Sequence, residues 1–343
     1  MVKVGIAGAS GYAGAELIRI VEAHPQFKLF ALSAGSFAGA SLASVHPQFA
    51  AHHKLANLIF SETTSETFRD CDLVFFALPH GQSGELIKQL PEDTKVVDLG
   101  ADFRLTDANL WSKYYDGPHA GTFVYGLPEL PERRAQISTA SRVANPGCYA
   151  TAIQLSLAPL IAANLVDASD IVVVAASGTS GAGRRAAVNL LGSEVMGSIS
   201  AYRIGGTHQH TPEIEQELQK YSSQSVALNF TPLLAPMPRG ILATTSVKTT
   251  ASKEQLYECL AKAYNDEPFV VVLPDGQLPT TAATLGSNSA LMQVAVDEHT
   301  GRATIVTAID NLIKGAAGQA IQNANLMFNI SEISGLSVIG IAP

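Results

Sequence analysis

Apolar and polar positions alternate along the first hundred residues as short apolar runs separated by amphipathic stretches. Val2–Ala7 is an apolar run, followed by a glycine-rich turn and a stretch from Gly14 to about His24 whose apolar residues recur at helical spacing. Pro25 ends that helix, and Phe27–Ser33 reads as the next strand. Leu73–Leu78 and Lys95–Leu99 are further apolar strands, each preceded by polar, helix-compatible sequence. Strands alternating with helices predict a parallel sheet covered by helices on its faces. From about Leu110 to Ala144 the rhythm breaks, with Trp111, paired tyrosines and several prolines, and a loop-rich crossover is expected.

A new helix is predicted after Pro146-Gly147-Cys148, running to about Asn164, and Ile171–Ala176 is a β-branched strand. Val226–Leu234, Ile241–Thr249, and Leu291–Asp297 with Ala303–Ile309 alternate in the manner of antiparallel strands, with a helix over Lys253–Tyr264 among them. The last predicted helix, Leu312 to about Phe328, is alanine-rich.

Composition narrows the class. A chain of 343 residues is long enough for two domains, and 47% hydrophobic against 15% charged residues allows a large interior and excludes disorder. The net charge of −8 speaks against a nucleic-acid or anionic-membrane partner, though not against small anions held by local arginines and helix N-termini. No stretch reaches the ~18–20 uninterrupted apolar residues of a membrane span. Met1-Val2-Lys3-Val4 runs straight into a strand pattern without a signal-peptide layout. Cys71, Cys148 and Cys259 are odd in number and far apart, which fits a reducing compartment better than a disulfide framework. A cytoplasmic protein is expected.

The chemistry begins at Gly8-Ala9-Ser10-Gly11-Tyr12-Ala13-Gly14, directly between a strand and a helix. Glycines there let the backbone approach a pyrophosphate, which rests on the N–H groups of the helix start. Gly8, Ser10, Gly11, Tyr12, Ala13 and Gly14 are therefore candidate dinucleotide contacts. No Asp or Glu occurs between Glu22 and Glu62, so the second strand ends at Ser33, with Ser36 nearby, and lacks a carboxylate for a ribose 2′-hydroxyl. NADP is favoured over NAD.

Asn145-Pro146-Gly147-Cys148-Tyr149-Ala150-Thr151 sets a cysteine in the first turn of a helix, where the dipole and free N–H groups stabilise a thiolate. Cys71 and Cys259, on apolar elements, read as buried small hydrophobes. A thiolate enzyme needs a proton carrier, and Gly205–Ile214 sets His208 and His210 beside a helix start. No further Cys/His/Asp cluster stands near them to complete a metal site, and none is expected. His24, His46, His52 and His53 read as surface or loop residues. Ser177-Gly178-Thr179-Ser180-Gly181-Ala182-Gly183-Arg184 follows a strand and is expected to precede a helix, its N–H groups and Arg184 suited to an anion.

These pieces, in this order, resemble N-acetyl-gamma-glutamyl-phosphate reductase over essentially the whole chain. The resemblance is carried by the glycine loop, Leu78-Pro79-His80-Gly81, Asp98–Leu105, Tyr125-Gly126-Leu127-Pro128-Glu129, Asn145–Thr151, His208–Ile214, Pro238-Arg239-Gly240, Asp310-Asn311-Leu312 and Lys314–Ala320. It implies an α/β architecture with three parts. Residues 1–147 would form an NADP-binding Rossmann-type domain, 148–310 an α+β catalytic and oligomerisation domain, and 311–343 a C-terminal helix returning to the first domain. It implies that Cys148 forms a thioester with N-acetyl-glutamyl 5-phosphate, that NADPH reduces it to the 5-semialdehyde, and that His210 moves the proton, with His208 the second candidate. Pro79, Ser180, Gly181 and Asn311 are implied on the cofactor side. Arg104, Arg184, Tyr202, His208 and Arg239 are implied on the substrate side, and a homodimer or homotetramer as the assembly. Aspartate-semialdehyde dehydrogenase and a carrier-linked aminoadipyl-phosphate reductase are the neighbouring alternatives.

Overall fold

The computed structural model describes residues 1–342. Two compact units are present: Met1–Pro128 with Glu132–Pro146 and Ala316–Leu336, and Glu129–Pro131 with Gly147–Gly315 and the residues from Ser337 onward. The expected 311–343 segment is thus divided. Residues after Leu336 belong to the second unit, where Asn288 N donates to Ser337 O and Ile341 N to Leu285 O.

The first unit holds six strands: β1 (Val2–Ala7), β2 (Phe27–Ser33), β3 (Leu73–Phe76), β4 (Lys95–Asp98), β5 (Val124–Tyr125) and β6 (Arg142–Ala144). All pair in parallel, in the order β2-β1-β3-β4-β6-β5. Every residue of β3 is buried, as a strand covered on both faces must be, and this is why it reads as a continuous apolar run. The core beneath it gathers Phe68, Val74, Phe76, Ile87, Leu90, Val96 and Phe103. The chain leaves β1 first for β2 on one side and later for β3 on the other. The strand order therefore reverses beside β1, and the carboxyl ends of β1 and β3 flank the crevice where open α/β sheets bind ligands. The stretch expected to be loop-rich contains two seven-residue helices, Ala108–Tyr114 and Arg133–Thr139, besides the two short strands β5 and β6. Side-chain capping by Asp107 helps to start the first of these helices.

The second unit holds a mixed sheet of β7 (Ile171–Ser177), β8 (Ser200–Ala201), β9 (Leu228–Leu234), β10 (Ile241–Lys248), β11 (Val270–Val272), β12 (Ala290–Asp297) and β13 (Arg302–Ile309), in the order β11-β12-β13-β10-β7-β9-β8. β10, β12 and β13 are antiparallel neighbours, as the alternation predicts. β9 departs from expectation: it runs parallel to β7. The connection between them carries the helix His210–Gln219, and a crossover of that length is what parallel neighbours require. One face of the sheet is covered by the helix Cys148–Ala162, in which twelve of fifteen residues are buried, and by Lys253–Tyr264. The latter starts with a capping box between Ser252 and Gln255.

The last helix is also shorter than its apolar pattern suggested. Ile313–Ala317 forms a π-turn, and the α-helix is Gly318–Met327. Asp310 causes the irregular start, because its carboxylate accepts from Leu312 N (2.8 Å) and Ile313 N (3.2 Å) while its carbonyl accepts from Gly315 N (3.0 Å). Within the first unit Gly318–Met327 packs on the helices Arg133–Thr139 and Tyr12–Ala23. Among the described residues, no helix is long and apolar enough to cross a membrane.

Candidate active site

The glycine loop lies at the carboxyl end of β1. Gly8 has φ +78°, and a Cβ on it would stand 2.3 Å from the carbonyl oxygen of Ala77, so only glycine lets β1 and the chain after β3 approach this closely. Gly11 is the N-cap of Tyr12–Ala23 and its side supplies no capping group, which leaves the first-turn N–H groups of that helix to an outside acceptor. Ser10, Gly11 and Ala13 are half-buried, Tyr12 is exposed and Gly14 is buried.

His46 was not expected here. It is buried rather than a surface residue, with Nε2 3.0 Å from the carbonyl oxygen of Ala9. Phe49 and Phe60 stand edge-on to its ring. His24 is buried as well, its Nδ1 accepting from Gln26 N and Phe27 N and its Nε2 lying 3.1 Å from Asn325 Oδ1. Both rings terminate main-chain groups, a role that their sequence neighbourhoods do not signal. Ser33 is buried and its hydroxyl accepts from Thr63 Oγ1, whereas Ser36 is exposed.

Pro79 is exposed, in a loop organised by Asp102. The Asp102 carboxylate accepts from Gly81 N (2.8 Å), Ser83 N (3.0 Å) and Gly84 N (3.3 Å). Asp98 lies beside it, fully buried, accepting from Ser83 Oγ and Gly100 N. Burial, and then the neighbouring Asp102 charge, push the Asp98 carboxyl up to about 7. An unfolded aspartate titrates near 4. The folded state therefore favours protonated Asp98, and this contribution is full below about pH 4 and lost as the pH rises to about 7. Asp98→Asn, which keeps the Oδ1 acceptor, is expected to remove that slope. Relative to the parent it should gain stability between pH 4.5 and 8, by at most ~4 kcal/mol. Thermal melts of both proteins at the two pH values check this, and an identical pH dependence would contradict it.

Arg104 is nearly fully buried, with Nε donating to Asn145 O (2.7 Å) and Nη2 to Leu99 O (2.8 Å). A guanidinium this deep needs acceptors, and two of them are main-chain carbonyls. It thereby holds the chain three residues before Cys148.

In the second unit Cys148 opens the helix Cys148–Ala162, with Gly147 as N-cap. Thr151 N and Thr151 Oγ1 both donate to Gly147 O, closing the first turn. Gly147 N donates to Glu213 Oε1 (2.7 Å), and Glu213 is buried. The His210 ring lies on the other side of the same glycine: a Cβ at 147 would stand 2.5 Å from His210 Nε2 and 2.8 Å from Cδ2 and Cε1. Glycine at 147 is thus what lets the imidazole reach the start of the cysteine helix. Cys148 is half-buried, whereas Cys71 is buried and pushed up to about 12 by burial; none of the three cysteines is in a disulfide.

His208 is part of an aromatic cluster. Its ring centroid is 5.4 Å from Tyr149, 5.0 Å from Phe230, 5.7 Å from Tyr202 and 4.9 Å from His210, each edge-on. His210 N donates to His208 Nδ1 (3.1 Å), which leaves the ring hydrogen on Nε2. Burial, and then the proximity of His210, push His208 down to about 2, so it is neutral throughout the ordinary pH range. The Tyr202 hydroxyl lies 3.0 Å from that of Tyr149, and burial raises it to about 12.

The Ser177–Arg184 turn differs from expectation. It contains a 3₁₀ turn over Thr179–Ala182 and leads only to a second 3₁₀ turn, Val188–Leu190, and a four-residue helix, Gly192–Val195, and most of its N–H groups are already used. Thr179 N donates to Met237 O, Ser180 N to Pro238 O, Gly181 N to Gly178 O and Gly183 N to Ser180 O. Asn311 locks the turn in place, with Nδ2 donating to Ser180 Oγ (3.0 Å) and Oδ1 accepting from Gly240 N (2.7 Å). Both ends of its carboxamide are therefore engaged within the unit. Arg184 is exposed, and Arg239 Nε stands 3.8 Å from Asp310 Oδ2. Within the second unit the structure groups His208, His210 and Tyr202 around the Cys148 helix start, and Ser180, Gly181, Asn311 and Arg239 around the 178–181 turn. Glu213 and Tyr149, which sequence reasoning left without roles, belong to the first group. Both lie inside the motifs singled out above.

Residues 3–140 match the family model for the semialdehyde dehydrogenase NAD binding domain, and residues 148–311 match the semialdehyde dehydrogenase dimerisation domain. The N-acetyl-gamma-glutamyl-phosphate reductase of Acidothermus cellulolyticus is 54% identical over 343 residues, covering 99% of each chain. Aspartate semialdehyde dehydrogenase II of Vibrio cholerae, complexed with ASA, is 18% identical with a TM-score of 0.72, covering 96% of this chain and 98% of that one. Aspartate semialdehyde dehydrogenase of Candida albicans with NADP has a TM-score of 0.69 at 18% identity, with the same coverage. The two structures share the fold, whereas 54% identity over the full length shows the family. The chain belongs to the semialdehyde dehydrogenases and, among them, to the N-acetyl-gamma-glutamyl-phosphate reductase family.

Proposed function

We propose that the chain reduces N-acetyl-glutamyl 5-phosphate to N-acetyl-glutamate 5-semialdehyde and phosphate, with Cys148 as nucleophile and His210 as acid and base. The observation that carries this reading is the packing of the His210 imidazole against Gly147, the residue that starts the Cys148 helix. The thiolate of Cys148 attacks the acyl carbon, and the carbon–oxygen bond to the phosphate breaks as a thioester forms. The first-turn N–H groups of the helix hold the oxyanion that develops. NADPH, when bound, supplies the hydride that reduces the acyl carbon. His210 gives a proton to the resulting oxygen of the thiohemiacetal on Cys148, then takes it back as the carbon–sulfur bond breaks and the aldehyde leaves. Glu213 holds Gly147 N and so keeps the helix start in register with that ring.

The residues of the first unit fit a dinucleotide. Gly8 lets the turn after β1 close tightly against Ala77, and the N–H groups at the start of Tyr12–Ala23 face outward from the helix end. Ser36 and Pro79 would lie on the cofactor side. The lack of a carboxylate after β2 supports NADP over NAD. Arg239 and Tyr202 would meet the carboxylate and amide of the substrate, and exposed Arg184 the departing phosphate. His208, neutral and buried, supports the placement of His210 rather than carrying protons itself.

Val174 is 40% exposed on the sheet face opposite the Cys148 helix, which supports self-association through the second unit as a homodimer or homotetramer. Three thiols support a reducing, cytoplasmic setting. The reading is tested by phosphate-dependent oxidation of two aldehydes with NADP. N-acetyl-glutamate 5-semialdehyde should be oxidised with a kcat/KM at least ~10²-fold above that for aspartate semialdehyde. A preference for aspartate semialdehyde would contradict it.

A further inference from the structure

Lys314 and Glu129 form an ion pair buried completely at both ends, with Nζ 2.6 Å from Oε1. The ammonium also lies 5.5 Å from the Phe269 ring centroid. The two residues are 185 positions apart, and both stand in strings that the chemistry above does not use. Removing two charges from water is costly, and apolar side chains of similar volume often fill such a space with no loss of stability. The pair therefore calls for a reason other than stability.

Its place in the chain supplies one. Lys314 lies in the π-turn Ile313–Ala317, a geometry that is rare and concentrated at functional sites. The next residue, Gly315, lies directly against the cysteine: a Cβ there would stand 2.7 Å from Cys148 Cβ and 3.2 Å from its Cα. The turn is tied at its start by the Asp310 carboxylate and carbonyl. Among the side chains of the turn itself, Lys314 reaches an anion, and that anion is Glu129.

We infer that Lys314 and Glu129 are positioning residues. Their pair holds the π-turn so that Gly315 backs Cys148 and fixes where its sulfur points. The inference rests on Cys148 being the nucleophile. Misplacing a reacting atom by about an ångström can cost ~10²-fold in rate, so a loosened turn should register in the thiol itself.

The test compares the parent with Lys314→Met, Lys314→Met/Glu129→Leu and Gly315→Ala. Melting temperature, kcat, KM and the pH profile of Cys148 alkylation by iodoacetamide, read on the Cys148 peptide, are measured for each. Lys314→Met should lower the melting temperature, because the Glu129 carboxylate stays buried near Glu267 without its cation, and the double variant should regain it. Both should nevertheless show a kcat and a neutral-pH alkylation rate at least ~10-fold below the parent, with KM little changed. Gly315→Ala should show the same loss with the ion pair intact. A double variant that recovers stability together with the parental alkylation profile and kcat would overturn the inference. If that variant does not fold, Gly315→Ala decides, and parental values there overturn it. A parent whose Cys148 alkylates no faster than Cys71 or Cys259 would overturn the underlying reading of Cys148 and the inference with it, an outcome visible before any variant is made.

Discussion

Cys148→Ser is expected to lower turnover of the acyl phosphate by at least ~10⁴-fold while NADPH still binds. The substitution exchanges one polarizable sulfur for oxygen at a half-buried position and leaves the helix start unchanged, since Thr151 N still closes on Gly147 O and Gly147 N on Glu213. What is lost is the thiolate: a serine hydroxyl is not ionised by a helix dipole at neutral pH, so no ester forms and no hydride acceptor is created. Steady-state assays with fluorescence titration of NADPH separate the two effects. Turnover within tenfold of the parent would sink the assignment. Neither of the other cysteines offers an escape route, because Cys71 is pushed up to about 12 and Cys259 is raised by burial as well.

His210→Asn is expected to lower kcat by ~10²-fold or more, the usual contribution of a general acid and base. The asparagine keeps a polar group near Gly147 but cannot shuttle a proton. The contrast with His208 makes the experiment specific. His208 is neutral down to about pH 2 and its Nδ1 is occupied by the His210 N–H, so it contributes no titration between pH 5 and 9. The pH dependence of kcat in that window should therefore survive His208→Asn, whatever stability that variant loses, and change in His210→Asn. A residual kcat above about a tenth of the parent in His210→Asn would contradict the role.

Much of the fold was legible because it rests on local patterns. The period-two alternation of Ile241–Lys248 and Arg302–Ile309, the continuous apolar run of β3 and the capping box before Lys253–Tyr264 are written within single elements. The parallel pairing of β9 was not, because alternation reports which face is buried and says nothing of the neighbour's direction. The π-turn was hidden for a related reason. Its apolar spacing is helical, and the Asp310 hydrogen bonds that distort it depend on backbone geometry rather than periodicity.

The candidate site divides in the same way. Gly8, Gly147 and Cys148 were visible because their chemistry demands particular residue types at a strand–helix or loop–helix junction. Arg104 and Asn311 look like ligand-binding groups in a motif, and the partners that both hold within their own units are not signalled there. Nothing in the sequence says whether a polar side chain faces a ligand or a main-chain carbonyl. His46, 37 residues from the carbonyl it meets, and the Lys314–Glu129 pair, 185 apart, are long-range encounters that only tertiary structure reveals.

The most direct measurement is to incubate the chain with N-acetyl-glutamyl 5-phosphate in the absence of NADPH and examine its cysteine peptides by mass spectrometry. An N-acetyl-glutamyl group is predicted on Cys148 alone, released by hydroxylamine and absent from the Cys148→Ser variant, with one phosphate freed for each group attached. An unmodified Cys148 in a protein that goes on to reduce the substrate when NADPH is added, or a label on Cys71 or Cys259 instead, would contradict it.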